Sequence, residues 1–406
     1  MTTAIRPPTD ASEVQKTTTG RLDFVDVLRV FLIILVVAHH AGQAYGPTGG
    51  SWPVFDPANS ELLLPFFAVN AAFFMGLLFF LAGYFVPGAY DRRGAGRFLK
   101  RRGTRIGVPL AFFVLFVQGP VVYLSESPGM AFGEYISSLY ASGWQNLYIH
   151  LWFLGHLLLY SLVYVGWRTM ADRRTGPARE WPVPTHLSIF GFVVALAAVT
   201  WVVRGWYAID EWVALLWVVP AELAHFPQYV ALFVLGIIAY RGDWLRRMST
   251  ATGMVWLGVG LASSVGFSVF VMLADERMND VIDTGGFNWQ SLIYSGWEAL
   301  ICVGLCVGLV VLFRQVFKTS HPALAAMAAA SYAAYIVHWL IVVGLQSAIA
   351  DLRLPALVKF GLVTAGAVVF AFGIGHVSRR VPGLRVVLGT RAQPSAPSEH
   401  SIGAPS

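Results

Sequence analysis

Apolar residues fall into ten runs along this chain, at about residues 24–44, 65–87, 106–124, 148–167, 186–203, 226–240, 252–273, 288–313, 323–347 and 355–378. A helix needs about 20 apolar residues to cross a hydrocarbon core ~30 Å thick. Most runs reach that length, and the sixth is short. The pattern predicts an all-α polytopic membrane bundle of about ten transmembrane helices. One further stretch, EWVALLWVV at 211–219, is apolar but short and is bounded by Pro220. It reads as part of an outer loop, or as an interfacial or re-entrant piece.

Cationic residues turn this pattern into a topology. The N-terminal tail and the loops after the second, fourth, sixth, eighth and tenth runs carry nearly all the Lys and Arg. The intervening loops 45–64 and 125–147 have none, while 204–225 has only Arg204, 274–287 only Arg277 and 348–354 only Arg353. Cations collect on the cytoplasmic side of membrane proteins. The alternation therefore places both termini in the cytoplasm of a multi-pass protein of the plasma or inner membrane. If 211–219 crossed separately, Arg246 and Arg247 would face outward.

Composition excludes a water-soluble globule. Of 406 residues, 56% are hydrophobic and 12% charged, with mean hydropathy +0.63. Soluble domains carry roughly 25% charged residues. The net charge of +6 is spread over alternate loops rather than pooled on one segment, so no nucleic-acid partner is expected. The two cysteines, Cys302 and Cys306, lie one helical turn apart in one run, which is poor disulfide geometry, and they read as packing residues. Residues 1–22 form a polar, Pro/Thr-rich tail expected to be disordered, 23–380 the transmembrane domain, and 381–406 a Ser/Pro-rich cytoplasmic tail. The first run is too long for a signal-peptide core and holds Arg29, His39 and His40, so it is expected to be retained.

Ionisable groups inside membrane helices are costly and mark function. Arg29 and His40 are eleven residues apart, three helical turns, and so share a face of the first helix. His39 points about 80° away from that face. Asp26 can hold the Arg29 guanidinium as an i,i+3 pair. At ~1.5 Å per residue, His40 lies roughly 24 Å and His338 roughly 22 Å from the inner ends of their helices. His156 and Glu298 enter from outside and lie ~12–15 Å below that face. The four protonatable side chains can share a layer in the outer half of the bundle, where a carboxylate beside an imidazole would suit general-base chemistry. The blander readings are that Arg29 reaches the headgroups and that His40 makes a packing hydrogen bond. No close ligand spacing supports a metal, and none is expected.

The second constellation is FFLAGYFVPGAYDRRGAGRFLKRRGTRIGVPL at 79–110, with seven cations at the membrane face. Such a cluster binds phosphates readily, and it also serves topology signalling and anionic lipids.

Taken together, these residues resemble the membrane-bound acyltransferase 3 family. Asp26, Arg29 and His40 match its D-x-x-R followed by His eleven residues after the Arg. FFLAGYF, with Phe98, Arg102, Arg105 and Pro109 after it, is similar to its second-to-third helix pattern, with Ala82 where the family commonly has Ser. HLWFLGHLLLYSLVY at 150–164, HFPQYVALFVLGIIAYRGDWL at 225–245 and SYAAYIVHWLIVV at 331–343 also look like family segments, in order, over about 23–380. The texture is closest to the glucan-modifying (glucan biosynthesis protein C-like) subgroup. The resemblance implies transfer of an acyl group, of acetyl or succinyl type, from acyl-CoA to a hydroxyl of a carbohydrate or other exported acceptor. It makes His40 the catalytic histidine, as base or as transient acyl carrier, while Asp26, through its pairing with Arg29, and Glu298 and His338, through their depth in the bundle, stand as further catalytic candidates. Arg29, Arg102 and Arg105 become donor-side groups. A transporter of a small solute is the alternative; it would favour two similar halves with interrupted helices at matching positions, which the runs do not display. A partner protein that has lost its activity is a further reading, against which the retained motif residues speak.

Overall fold

The computed structural model describes residues 22–47, 52–126, 129–171, 181–273, 285–319 and 321–390. Both tails expected from the sequence fall largely outside these residues. Nine helices among the described residues are long and apolar enough to cross a bilayer. They are α1 (Asp23–Gly42), α2 (Leu64–Asp91), α3 (Ala95–Ser125), α5 (Trp152–Ala171), α6 (His186–Arg204), α8 (Thr250–Leu273), α9 (Trp289–Val316), α10 (Pro322–Ile349) and α11 (Ala356–Ser378). The sixth run forms α7 (Phe226–Arg241), whose 16 residues make it the short member of the set. At ~1.5 Å per residue it is about 24 Å long, less than the ~30 Å core. The chain is an all-α polytopic membrane bundle.

Two loop segments take shapes that their hydropathy does not specify. Residues 132–143 form a separate helix, α4 (Phe132–Gly143). The apolar stretch at 211–219 lies within a hairpin of β1 (Trp212–Leu215) and β2 (Val219–Glu222), paired antiparallel with Trp212 opposite Glu222. Three residues, 216–218, join the paired Leu215 and Val219, and Leu216 and Trp217 take positive φ (51° and 60°) to turn the chain back. The piece is therefore neither a crossing nor a re-entrant helix.

Packing puts α1 at the centre, where it touches α2, α9, α10 and α11. Helices in lipid associate by close packing of small residues rather than by water exclusion. The α2–α7 pair shows how: a Cβ on Gly83 would lie 2.1 Å from the Phe233 carbonyl oxygen, and one on Gly236 would lie 2.1 Å from that of Phe80. The glycine of FFLAGYF is thus a helix-crossing residue. Helix α3 widens into π-helical turns at Gly103–Gly107 and Phe113–Val117. After α11 the chain forms a short helix, α12 (Pro382–Val387), and buries Leu388 against the bundle.

Candidate active site

Helices α1, α2, α3, α5 and α10 enclose a cavity of about 810 Å³, within the range of sites that hold cofactor-sized ligands (roughly 300–1,000 Å³). Its mouth carries seven arginines, Arg29, Arg92, Arg93, Arg101, Arg102, Arg105 and Arg379, against one acid, Asp26. Its shaft is apolar, with Ile33, Leu78, Leu81, Phe153, Leu154 and Leu157. Several guanidiniums are steadied by neighbours. Arg29 lies 3.2 Å from Asp26, the i,i+3 pair expected from the sequence, and over the Phe85 ring. Arg102 lies over Phe98 and Arg105 over Tyr332. The π-turn that carries Arg105 is a widening of the kind found at functional sites. Arg105 Nε donates to the Gly389 carbonyl (3.1 Å), so the segment after α12 helps to set this side chain.

The inner end of the cavity is Tyr335 of α10, and the next ring along that helix is His338, 5.7 Å away between centroids. His338 is completely buried, and His40 and His150 close around it, with ring centroids 4.9 and 4.7 Å from its own. The hydrogen bonds assign the tautomers. A carbonyl only accepts, so His338 Nδ1–H donates to the Tyr335 carbonyl (2.6 Å), leaving the lone pair on Nε2. His40 Nδ1–H donates to the Val36 carbonyl (2.9 Å) and faces His338 Nε2 at 3.2 Å. Neutral His40 therefore carries its lone pair on Nε2, the atom a general base uses. His39 points elsewhere, with its ring against Phe67 and Phe74, each 5.2 Å away.

His150 was not singled out from the sequence. It enters the cluster because Ile149 adopts φ 44°, ψ −116°, which is strained for a β-branched residue. That kink lets the Tyr335 hydroxyl donate to the His150 carbonyl, while His150 Nε2 donates to the Ile336 carbonyl (3.0 Å) and Nδ1 is buried without a partner. Among the described residues, no three His, Cys, Asp or Glu side chains are arranged to hold a metal ion.

A sequence model of the family described as an acyltransferase domain matches residues 22–376, most of the chain. The chain belongs to the membrane-bound acyltransferase 3 family. Curated relatives named "Glucans biosynthesis protein C", from Salmonella schwarzengrund (strain CVM19633), Salmonella heidelberg (strain SL476) and Salmonella typhi, are each 26% identical to it over 257 residues, 59% of this chain. The match spans 64% of the length of those relatives. No solved structure matches the chain.

This member of the family holds Glu298 in a second buried cluster. Its carboxylate contacts Arg204 Nη2 at 2.6 Å and His225 Nε2 at 2.7 Å, and His225 Nδ1 in turn meets Glu222 Oε1 at 2.6 Å. Burial alone would lower the His225 pKa, but Glu222 and Glu298 outweigh it and push it up to about 10. His225 is a doubly protonated link between two carboxylates, and it ties the β2 end to α9 and α6. His156 lies apart from both clusters, bonded to the Tyr160 hydroxyl (3.2 Å) and the Pro220 carbonyl (3.0 Å). Of the four side chains expected to share a layer, the structure joins only His40 and His338 directly. Arg204 could have been noticed as the one cation of loop 204–225, because a lone charge at a helix end needs a counter-ion. The same holds for Lys359, the only cation of the last run, which pairs with Asp56 at 2.6 Å.

Proposed function

We propose that this protein moves an acyl group, of acetyl or succinyl type, from acyl-CoA to a hydroxyl of a carbohydrate or other exported acceptor, at the plasma or inner membrane. The carrying observation is that one cavity runs from the arginine-rich mouth along an apolar shaft to Tyr335, whose ring lies 5.7 Å from that of His338 at the edge of the histidine cluster. Arginine guanidiniums grip phosphates as bidentate donors. Arg29, Arg102 and Arg105, with their cationic neighbours, hold the phosphates of CoA on the cytoplasmic side. The pantetheine arm follows the apolar shaft and brings the thioester toward His40.

At the far side, the acceptor hydroxyl meets His40 Nε2. The imidazole takes the hydroxyl proton as the oxygen bonds to the acyl carbon. The C–S bond then breaks, and the thiolate recovers the proton from the imidazolium, giving an ester and CoA thiol. His338 acts through its Nε2 lone pair: facing His40 Nδ1–H, it fixes the tautomer that leaves Nε2 basic and stabilises the positive charge that develops on the ring. Asp26 is distant from this proton transfer and serves to orient Arg29. Glu298, bonded to Arg204 and His225, is a scaffold group in this scheme. The test offers purified protein in nanodiscs acetyl-, propionyl- and succinyl-CoA, each with and without a glycan panel, and follows free thiol. Acceptor-stimulated thiol release is expected from one donor class. No release from any donor, by protein shown to be folded, would remove the proposal.

A further inference from the structure

Helices supply three of the rings around His40, those of His39, His150 and His338, and a loop supplies the fourth. Trp52, on the segment joining α1 to α2, lies 5.7 Å from the His40 ring at 34°, beyond the α1 end remote from the arginine mouth. We propose that Trp52 is the acceptor-side shield of His40, keeping water off the imidazole until an acceptor sugar replaces the indole against it. The inference rests on the acyl-transfer reading above and concerns how the same site chooses a sugar over water.

The attachments of this segment differ in strength. Four residues beyond Trp52, Asp56 makes its 2.6 Å ion pair with Lys359, and both side chains are almost wholly buried (0% and 2% exposed). Lys359 also donates to the Ala350 carbonyl (2.9 Å), and Ser60 N–H donates to the Tyr45 carbonyl (2.8 Å). Breaking a buried ion pair leaves an uncompensated charge, so Asp56 is a fixed point. Trp52 itself makes one neutral hydrogen bond, from Nε1 to Gln346 Oε1 (2.8 Å), and is half-buried against the apolar cluster that includes Phe67 and Trp339. Gln346 is fully buried and donates through Nε2 to the His40 and Ala41 carbonyls (3.3 and 3.1 Å), so its amide is oriented by the very turn that carries His40. The indole can leave by exchanging that bond and its half-buried apolar contacts while Asp56 stays in place.

The chemistry requires such a shield. A histidine that activates a sugar hydroxyl also activates water: water gives its proton to Nε2, its oxygen bonds to the acyl carbon, and the C–S bond breaks. The thiolate recovers the proton, so the products are a carboxylic acid and CoA thiol, and the donor is wasted. Excluding water prevents this loss. A pyranose presents an apolar C–H face that an indole or an imidazole ring accepts, so a sugar compensates for lost indole contact as water cannot.

Two measurements on the full-length protein in nanodiscs test the assignment. In the first, thiol release from the preferred acyl-CoA is followed without acceptor. Trp52→Ala is expected to raise this hydrolysis about tenfold and to lower acceptor-dependent transfer, and Gln346→Leu and Trp52→Phe, each of which removes the Nε1–Oε1 hydrogen bond but keeps an aromatic ring beside His40, to raise it less. In the second, which needs no activity, the His40→Cys variant is labelled with a charged maleimide. Cys302 and Cys306 are buried, which keeps background labelling low. Adding Trp52→Ala is expected to speed labelling about tenfold, with Gln346→Leu intermediate. If wild type shows acceptor-stimulated release but Trp52→Ala changes neither hydrolysis nor labelling, the shield is wrong and the transfer reading stands. If labelling rises but no donor releases thiol in any variant, the shield stands and the transfer reading falls. Should Trp52→Ala fail to fold, Trp52→Phe and Gln346→Leu carry both readouts, and wild-type labelling and hydrolysis in Gln346→Leu overturn the proposal.

Discussion

Removing the Glu298 carboxylate tests whether the second buried cluster is scaffold or chemistry. In Glu298→Ala, Arg204 keeps its charge at 0% side-chain exposure, with Nε and Nη1 already lacking hydrogen-bond partners, and is left with the Tyr294 ring at 5.0 Å and the field of Glu222, a carboxylate that His225 already neutralises. His225 still has Glu222, so that pair stays neutral and the uncompensated charge is the arginine's. Breaking a buried ion pair in this way costs roughly 3–5 kcal/mol. At roughly 2–4 °C per kcal/mol, the thermal midpoint is expected to fall by roughly 6–20 °C. Replacing both partners by apolar residues, Arg204→Met with Glu298→Leu, removes the stranded charge and is expected to recover most of that loss. Thermal unfolding of the purified protein reads both, and thiol release per folded molecule is expected to stay within about twofold of wild type, since neither side chain touches the His40 cluster. An unchanged midpoint with turnover down about 10²–10⁴-fold would refute the scaffold assignment and put Glu298 in the proton transfer.

Three further outcomes follow from the geometry. Arg102→Ala removes one guanidinium from the cavity mouth and is expected to weaken CoA binding about tenfold or more by calorimetry, whereas an unchanged Kd would show that Arg102 does not face the donor. Gly83→Ala sets a Cβ 2.1 Å from the Phe233 oxygen and is expected to destabilise by about 1–3 kcal/mol in thermal unfolding; Gly96→Ala, with nothing within 4 Å, is the neutral control. The raised pKa of His225 makes its contribution to stability complete below its ordinary 6.5 and progressively lost as pH rises from there through about 10. The thermal midpoint should therefore decline across that window in wild type and lose this component in His225→Gln; equal slopes in the two proteins would contradict the assignment.

The parts of the fold that a bilayer imposes were legible in the sequence. Crossing helices need length and apolarity, and nine of the ten runs became helices of that kind. The rest obeyed local rules that hydropathy does not report. Helix α4 forms in a loop without an apolar run, and the 211–219 stretch bends back at Leu216 and Trp217 instead of continuing. The site divides in the same way. Asp26 and Arg29 pair because i,i+3 spacing is a property of one helix, and His40 faces His338 because two residues at equal depth on neighbouring helices were each on the inward side. Depth alone misled for Glu298 and His156, whose rotation about their helices aims them at Arg204, His225, Tyr160 and Pro220. His150 depends on the positive φ of Ile149, a backbone choice with no glycine or asparagine to signal it.

The most direct measurement is turnover of His40→Ala beside His39→Ala, with free CoA thiol followed in the presence of acceptor and the fold checked by thermal unfolding. His39 has its ring among phenylalanines and His40 faces His338, so adjacent residues provide an internal control. Loss of about 10²–10⁴-fold in His40→Ala, with His39→Ala retaining most of its rate, is the outcome expected of a general base at Nε2. Full turnover in folded His40→Ala would contradict it and move the chemistry away from the histidine cluster that lies past Tyr335.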